Sequence, residues 1–155
     1  MKSAMQNAIC DNFLHRSYLS SLAILFLSLI LIPASSFDSF ADSPLVISEF
    51  LADGNRSFAD EEGEFPDWIE IFNIGNQTIN LNGWHLSNDP ANLEQWTFPS
   101  INLAVGKYLI VFASGKNRSN PGAPLHTNFR LAAEGEYLAL VQPDGKTVAH
   151  EYNPY

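Results

Sequence analysis

From residue 42 onward the chain is cut into short β-rich runs by clusters of Gly, Pro and Asn, and no stretch holds a helical period. Runs of that length, bounded by turn residues, build sandwiches or barrels, because each strand has an apolar side that must meet another sheet. The runs predict strands near 45–51, 67–73, 78–81, 83–88, 94–98, 107–113, 125–129, 136–142 and 146–152. Tyr137, Ala139 and Val141 point one way and Leu138 and Leu140 the other, so this strand is apolar on both faces and belongs in the middle of a sheet. Tyr108-Leu109-Ile110-Val111-Phe112 has the same character. Between the last two runs, Pro143-Asp144-Gly145 combines a preset φ with a residue tolerant of positive φ, as a tight hairpin requires.

The amino-terminal segment is of another kind. Lys2 and Arg16 precede an apolar run of 14 residues, Leu19 to Ile32, and Ser39 and Ala41 then stand at the minus three and minus one positions of a cut after Ala41. That order predicts a secretory signal peptide over 1–41, since a membrane span needs about 20 apolar residues. No stable membrane span is then expected after cleavage, and the expected location is extracellular or at the cell surface. Residues 42–155 keep the full net charge of −9, because 1–41 carry two basic and two acidic side chains. Such a surface repels nucleic acid. The single cysteine, Cys10, falls within the leader, so the mature part has no disulfide and must be held by a packed core. The carboxy-terminal residues Glu151 to Tyr155 read as a continuing extended segment, and further domains are expected after them.

Several stretches in order, Val46-Ile47-Ser48-Glu49, Asp67-Trp68-Ile69-Glu70, Leu81-Asn82-Gly83-Trp84, Gln95-Trp96-Thr97-Phe98-Pro99, Leu125-His126-Thr127-Asn128-Phe129 and Gly135-Glu136-Tyr137-Leu138-Ala139-Leu140, together resemble the lamin-tail domain in its bacterial secreted form. The resemblance covers about residues 44–152. It implies an all-β, immunoglobulin-like antiparallel β-sandwich and a non-enzymatic interaction or adhesion module, with an unknown protein or a cell-surface polymer as partner. The alternative from another class is an accessory domain of a secreted enzyme, a hydrolase or spore-coat-type kinase, whose catalytic domain follows residue 155.

Residues able to do chemistry are sparse. None of the serines sits in a Gly-x-Ser-x-Gly elbow, and His85, His126 and His150 are far apart, so no catalytic residue and no cofactor site is predicted. His85 is expected to face solvent from its strand. Three sequons, at Asn55, Asn76 and Asn117, say little, because a chain this rich in Asn, Ser and Thr gives about two by chance. Trp68, Trp84 and Trp96 could form a sugar-stacking row, but large rings flanked by aliphatic residues more often fill cores. For Trp96, a sheet edge is the other expected position.

The unusual polar stretch is Asp60-Glu61-Glu62-Gly63-Glu64-Phe65-Pro66-Asp67, with five carboxylates in eight residues. Asp60, Glu62, Glu64 and Asp67 are weak candidates for a calcium site, weak because Gly63 is fourth and Ile71 twelfth where the EF-hand series needs Gly sixth and Glu twelfth. A solvated acidic loop is the simpler expectation. Glu70 alternates with Trp68 and Phe72, and so needs a donor, either a backbone amide or Arg130. Ala113 to Arg118 is the single basic cluster.

Overall fold

The computed structural model describes residues 43–53 and 57–155; the expected signal peptide over 1–41 lies outside them. The described residues form ten strands and no helix: β1 Leu45–Leu51, β2 Asp67–Asn73, β3 Ile79–Asn80, β4 His85–Ser87, β5 Trp96–Thr97, β6 Asn102–Leu103, β7 Tyr108–Ala113, β8 Leu125–His126, β9 Leu138–Val141 and β10 Val148–Tyr152. One sheet runs β1-β2-β7-β8 and the other β10-β9-β4-β5, with β3 and β6 as a small ribbon. All pairs are antiparallel except β7–β8, where Val111 lies opposite Leu125 and Phe112 opposite His126. The two sheets make the sandwich that the lamin-tail resemblance implies. β6 is a strand the sequence pattern did not announce, and the runs at 94–98 and 125–129 each shrink to two paired residues.

The core lies between the sheets. Leu45, Ile47, Ile69, Ile71, Val111 and Ala113 from one side meet Trp84, Leu86, Trp96, Leu138 and Leu140 from the other. β9 sits between β10 and β4, and its opposite face packs Tyr137, Ala139 and Val141 against Leu93 and Val148, so the strand is buried on both sides as its composition requires. Trp96 reconciles two expectations: β5 is an edge strand, yet the indole is buried, edge-on to Phe98 at 4.9 Å. The hairpin at 143–145 forms with Gly145 at φ +68°, while Asp144 accepts from the amides of Lys146 and Thr147 and from the Thr147 hydroxyl. Those bonds, the Thr147 hydroxyl first, hold the Asp144 carboxyl down to about 2.

His85 departs from expectation. It is buried rather than solvent-facing, and its Nδ1 lies 2.9 Å from the Thr97 hydroxyl on the neighbouring edge strand. Burial depresses its pKa. Glu70 is half-buried, but Arg130 is not its donor. A bulge in β1 after Ile47 turns Ser48 toward it, and the Ser48 hydroxyl donates to Glu70 Oε1 at 2.7 Å. Arg130 instead donates from Nε to the Ser114 carbonyl at 3.0 Å.

Candidate functional site

The outer face of the first sheet carries an aromatic row. Cross-strand register sets Trp68 beside Phe112 and Phe112 beside His126, whose ring stacks on Phe112 with centroids 5.1 Å apart. A sheet face of this kind needs a cover, since exposed rings of this size are unfavourable in water. The described end of the β1–β2 connection, residues 57–66, supplies it. Phe58 meets Trp68 edge-on at 5.4 Å, and the Trp68 indole N–H donates to the Ser57 hydroxyl at 3.0 Å, leaving Trp68 buried.

Within this flap, local hydrogen bonds fix the turn. Asp60 Oδ1 accepts from the amides of Glu62 and Glu64, both at 2.9 Å, the Asp60 amide donates to the Glu64 carbonyl at 2.8 Å, and Gly63 takes φ +78°. The turn buries the Asp60 side chain and aims the glutamates at the segment after β7. That segment is itself shaped by glycine and asparagine. Gly115 at φ +78° and Asn117 at φ +54° turn the chain so that Arg118 and His126 exchange backbone hydrogen bonds, and Lys116 and Arg118 face the flap.

The result is a clamp of opposite charges. Lys116 Nζ lies against Asp60 and 2.8 Å from both Glu62 Oε2 and Glu64 Oε2. Arg118 reaches Glu61 and Glu62, each at 2.5 Å. His126 Nε2 lies 3.0 Å from Glu61 Oε2, and its Nδ1 lies 2.8 Å from the Ser114 hydroxyl. A carboxylate only accepts, so Nε2 carries the proton; in the neutral ring Nδ1 then accepts from the Ser114 hydroxyl. The loop from Glu61 to Phe65 is solvent-exposed as expected, but its carboxylates are paired rather than free and Asp60 is buried, 7% exposed. Three of the four calcium candidates, Asp60, Glu62 and Glu64, do converge, but around an ammonium group. Asp67 stands apart from them, its carboxylate accepting from the amides of Asp53 and Leu131 at 3.1 and 3.3 Å.

A family model described as Lamin Tail Domain matches residues 38–153. The chain belongs to the lamin tail domain family. No curated protein matches it. Lamin tail domains are non-enzymatic immunoglobulin-like modules, and the Ser114, His126 and Glu61 sequence of hydrogen bonds fits that character despite its residue types. In this lamin tail domain the Ser114 side chain is 5% exposed, and the Gly115 amide, where an oxyanion donor would be wanted, is spent on the Phe129 carbonyl at 3.0 Å. The relay holds the flap against the sheet rather than presenting a nucleophile.

Titration follows from the geometry. Burial alone would raise the Asp60 carboxyl, but the Lys116 ammonium and the amides of Glu64 and Glu62 outweigh it and hold it below its ordinary 3.8. Glu61 is lowered by its own amide, with burial opposing and His126 and Arg118 adding; Glu62 is lowered by Lys116 and Arg118. The three carboxylates around Lys116 raise it above the usual lysine range. A carboxylate lowered on folding stabilises above its unfolded value and loses that contribution as pH falls through the folded one; a raised lysine stabilises below its ordinary 10.5. The clamp is thus complete near neutrality and is released in acid. Acidification below the ordinary carboxyl values of 3.8 and 4.5 is expected to free the flap and change Trp68 emission, a step absent from a Trp68→Phe variant. A single transition coincident with global unfolding would contradict it.

Proposed function

We propose that this lamin tail domain is a non-catalytic interaction and adhesion module of a secreted or cell-surface protein. The observation that carries the reading is the use of the titratable and nucleophilic groups: Asp60, Glu61, Glu62, Lys116, Arg118, His126 and Ser114 engage one another to fix a surface loop. A loop held rigid on a sandwich is a recognition element, because its ordering entropy is already lost before a partner arrives. The net charge of −9 favours a protein or a neutral cell-surface polymer over nucleic acid as that partner. The charged start and short apolar run of residues 1–41 support export with cleavage after Ala41.

The reading is tested by expressing the whole chain, sequencing the amino terminus of the exported product, and measuring retention of labelled mature domain on isolated cell envelopes. Export beginning at Asp42 and saturable retention displaced by unlabelled domain are expected. Hydrolytic turnover, or no retention, would count against it.

Calcium is not part of this proposal. To enter the Asp60, Glu62 and Glu64 cluster, a cation would have to displace the Lys116 ammonium from three carboxylates, and glutamates are costly to order around an ion. Calorimetric titration is expected to show no calcium binding tighter than about 0.1 to 1 mM. Micromolar binding lost in Asp60→Asn would make the cluster a cation site.

A further inference from the structure

The flap covers only one end of the outer face of the first sheet, the end that carries Trp68, Phe112 and His126. Toward the other end of β2 that face stays open. Register sets Val46 opposite Phe72 and Phe72 opposite Tyr108, and the last two rings stack with centroids 4.2 Å apart and planes 11° from parallel. Tyr108 is 56% exposed, and Val46, Phe72 and Ile110 are half-buried, so an apolar row faces water. One row closer to the flap, Glu49 lies opposite Glu70, and Glu70 opposite Ile110. Like charges directly across a strand pair repel. Glu70 accepts from the Ser48 hydroxyl, but among the described residues no cation pairs with it or with Glu49.

The covered end of the face sets the pattern for what closes the open end. There the flap lays one ring, Phe58, on Trp68 and brings carboxylates to Lys116 and Arg118. At the open end the sheet itself carries the carboxylates, so its cover must bring an apolar side chain to Phe72 and Tyr108 and a cation to Glu49 and Glu70. Glu70 and Phe72 are two residues apart on one strand face, about 6.6 Å, which is also the spacing of same-face side chains in any extended chain. We infer that this face docks an extended segment of a partner protein in which an arginine or lysine stands two residues from an aromatic or large aliphatic side chain. Arginine suits the site better than lysine, because its planar fork donates to two carboxylates at once while its stem lies on apolar surface. A second copy of the chain fits poorly, since two domains of net charge −9 meeting here would set these carboxylates against each other. The inference rests on the interaction-module reading and names the chemistry of its partner.

The test is a titration of isotopically labelled mature domain, followed by amide shifts, with two end-blocked pentapeptides, Ser-Arg-Ser-Phe-Ser and Ser-Phe-Ser-Arg-Ser. Ser-Glu-Ser-Phe-Ser reverses the charge and Ser-Arg-Phe-Ser-Ser breaks the spacing, as controls. At least one of the first two is expected to bind, with shifts at residues 46–49, 70–72 and 108–110 and an affinity that falls as salt is added. Glu49→Gln and Tyr108→Ala should each weaken it about fivefold, the scale of one solvent-facing ion pair or one ring contact. Both side chains are exposed, so urea melts of the variants should match the parent. No shift with either peptide, shifts elsewhere, equal binding of either control, or unchanged binding in both variants would overturn the assignment. Shifts of the same amides on concentrating the domain without peptide would also overturn it, in favour of a second copy. If neither peptide binds while Tyr108→Ala is still retained on cell envelopes, the docking face fails and the interaction module stands.

Discussion

Replacing Trp84 by alanine is expected to remove about 3 to 5 kcal/mol of stability, the range for deleting a large buried ring and leaving a cavity. Trp84 is 7% exposed and sits in the main cluster between the sheets. Its backbone is also a junction: the Trp84 amide donates to the Leu81 carbonyl at 3.0 Å and its carbonyl accepts from the Phe98 amide at 2.8 Å. The ring is therefore presented by a fixed main chain, and its neighbours have little freedom to close the void. Urea unfolding measures the loss. A change under about 1 kcal/mol would mean the indole is dispensable to the core and would reopen a surface role for it.

His126→Ala is expected to follow closely, at about 2 to 4 kcal/mol, because two effects add. The imidazole is fully buried and stacks on Phe112, so its removal opens a cavity beneath the flap. It also strips a partner from the buried Ser114 hydroxyl and from Glu61, and an orphaned buried polar group alone costs about 1 to 3 kcal/mol. His126→Gln retains a polar side chain with both donor and acceptor capacity and should recover part of the loss. Equal losses in the two variants would assign the whole effect to packing and contradict the relay.

The contrast between these two residues shows what was legible in the sequence. Trp84 stands within a β-rich run beside Leu81 and Leu86, so its burial could be read from local pattern alone, as could the two-sided burial of β9 from the alternation of Tyr137 to Val141. His126 gave no such signal. Its partners Ser114 and Glu61 are 12 and 65 positions away, and they meet it only because β8 pairs in parallel with β7 while the flap folds back over that edge. His85 was misread for a related reason: polarity pointed to solvent, but the edge strand β5 brings Thr97 across as a buried partner. The acidic run Asp60 to Asp67 was visible as unusual, and so was the basic cluster at Lys116 and Arg118. What local pattern could not supply was that 56 residues of chain return Lys116 to Asp60, so mutual repulsion of carboxylates is relieved by the protein's own cation. Glu70 was correctly read as needing a donor, yet a bulge in β1, invisible to composition, chose Ser48 over Arg130.

Residues 57–66 form a flap held closed by its own ion pairs rather than a mobile acidic loop. Amide exchange at neutral pH reads this directly, because the amides of Glu62 and Glu64 are bonded to Asp60 Oδ1 and the Trp68 indole N–H to Ser57. In the unsubstituted mature domain these three hydrogens should be protected, and Lys116→Met should abolish protection at Glu62 and Glu64 while leaving the amides of β2 and β9 unchanged. Exchange of Glu62 and Glu64 at free-peptide rates in the unsubstituted domain would contradict the account.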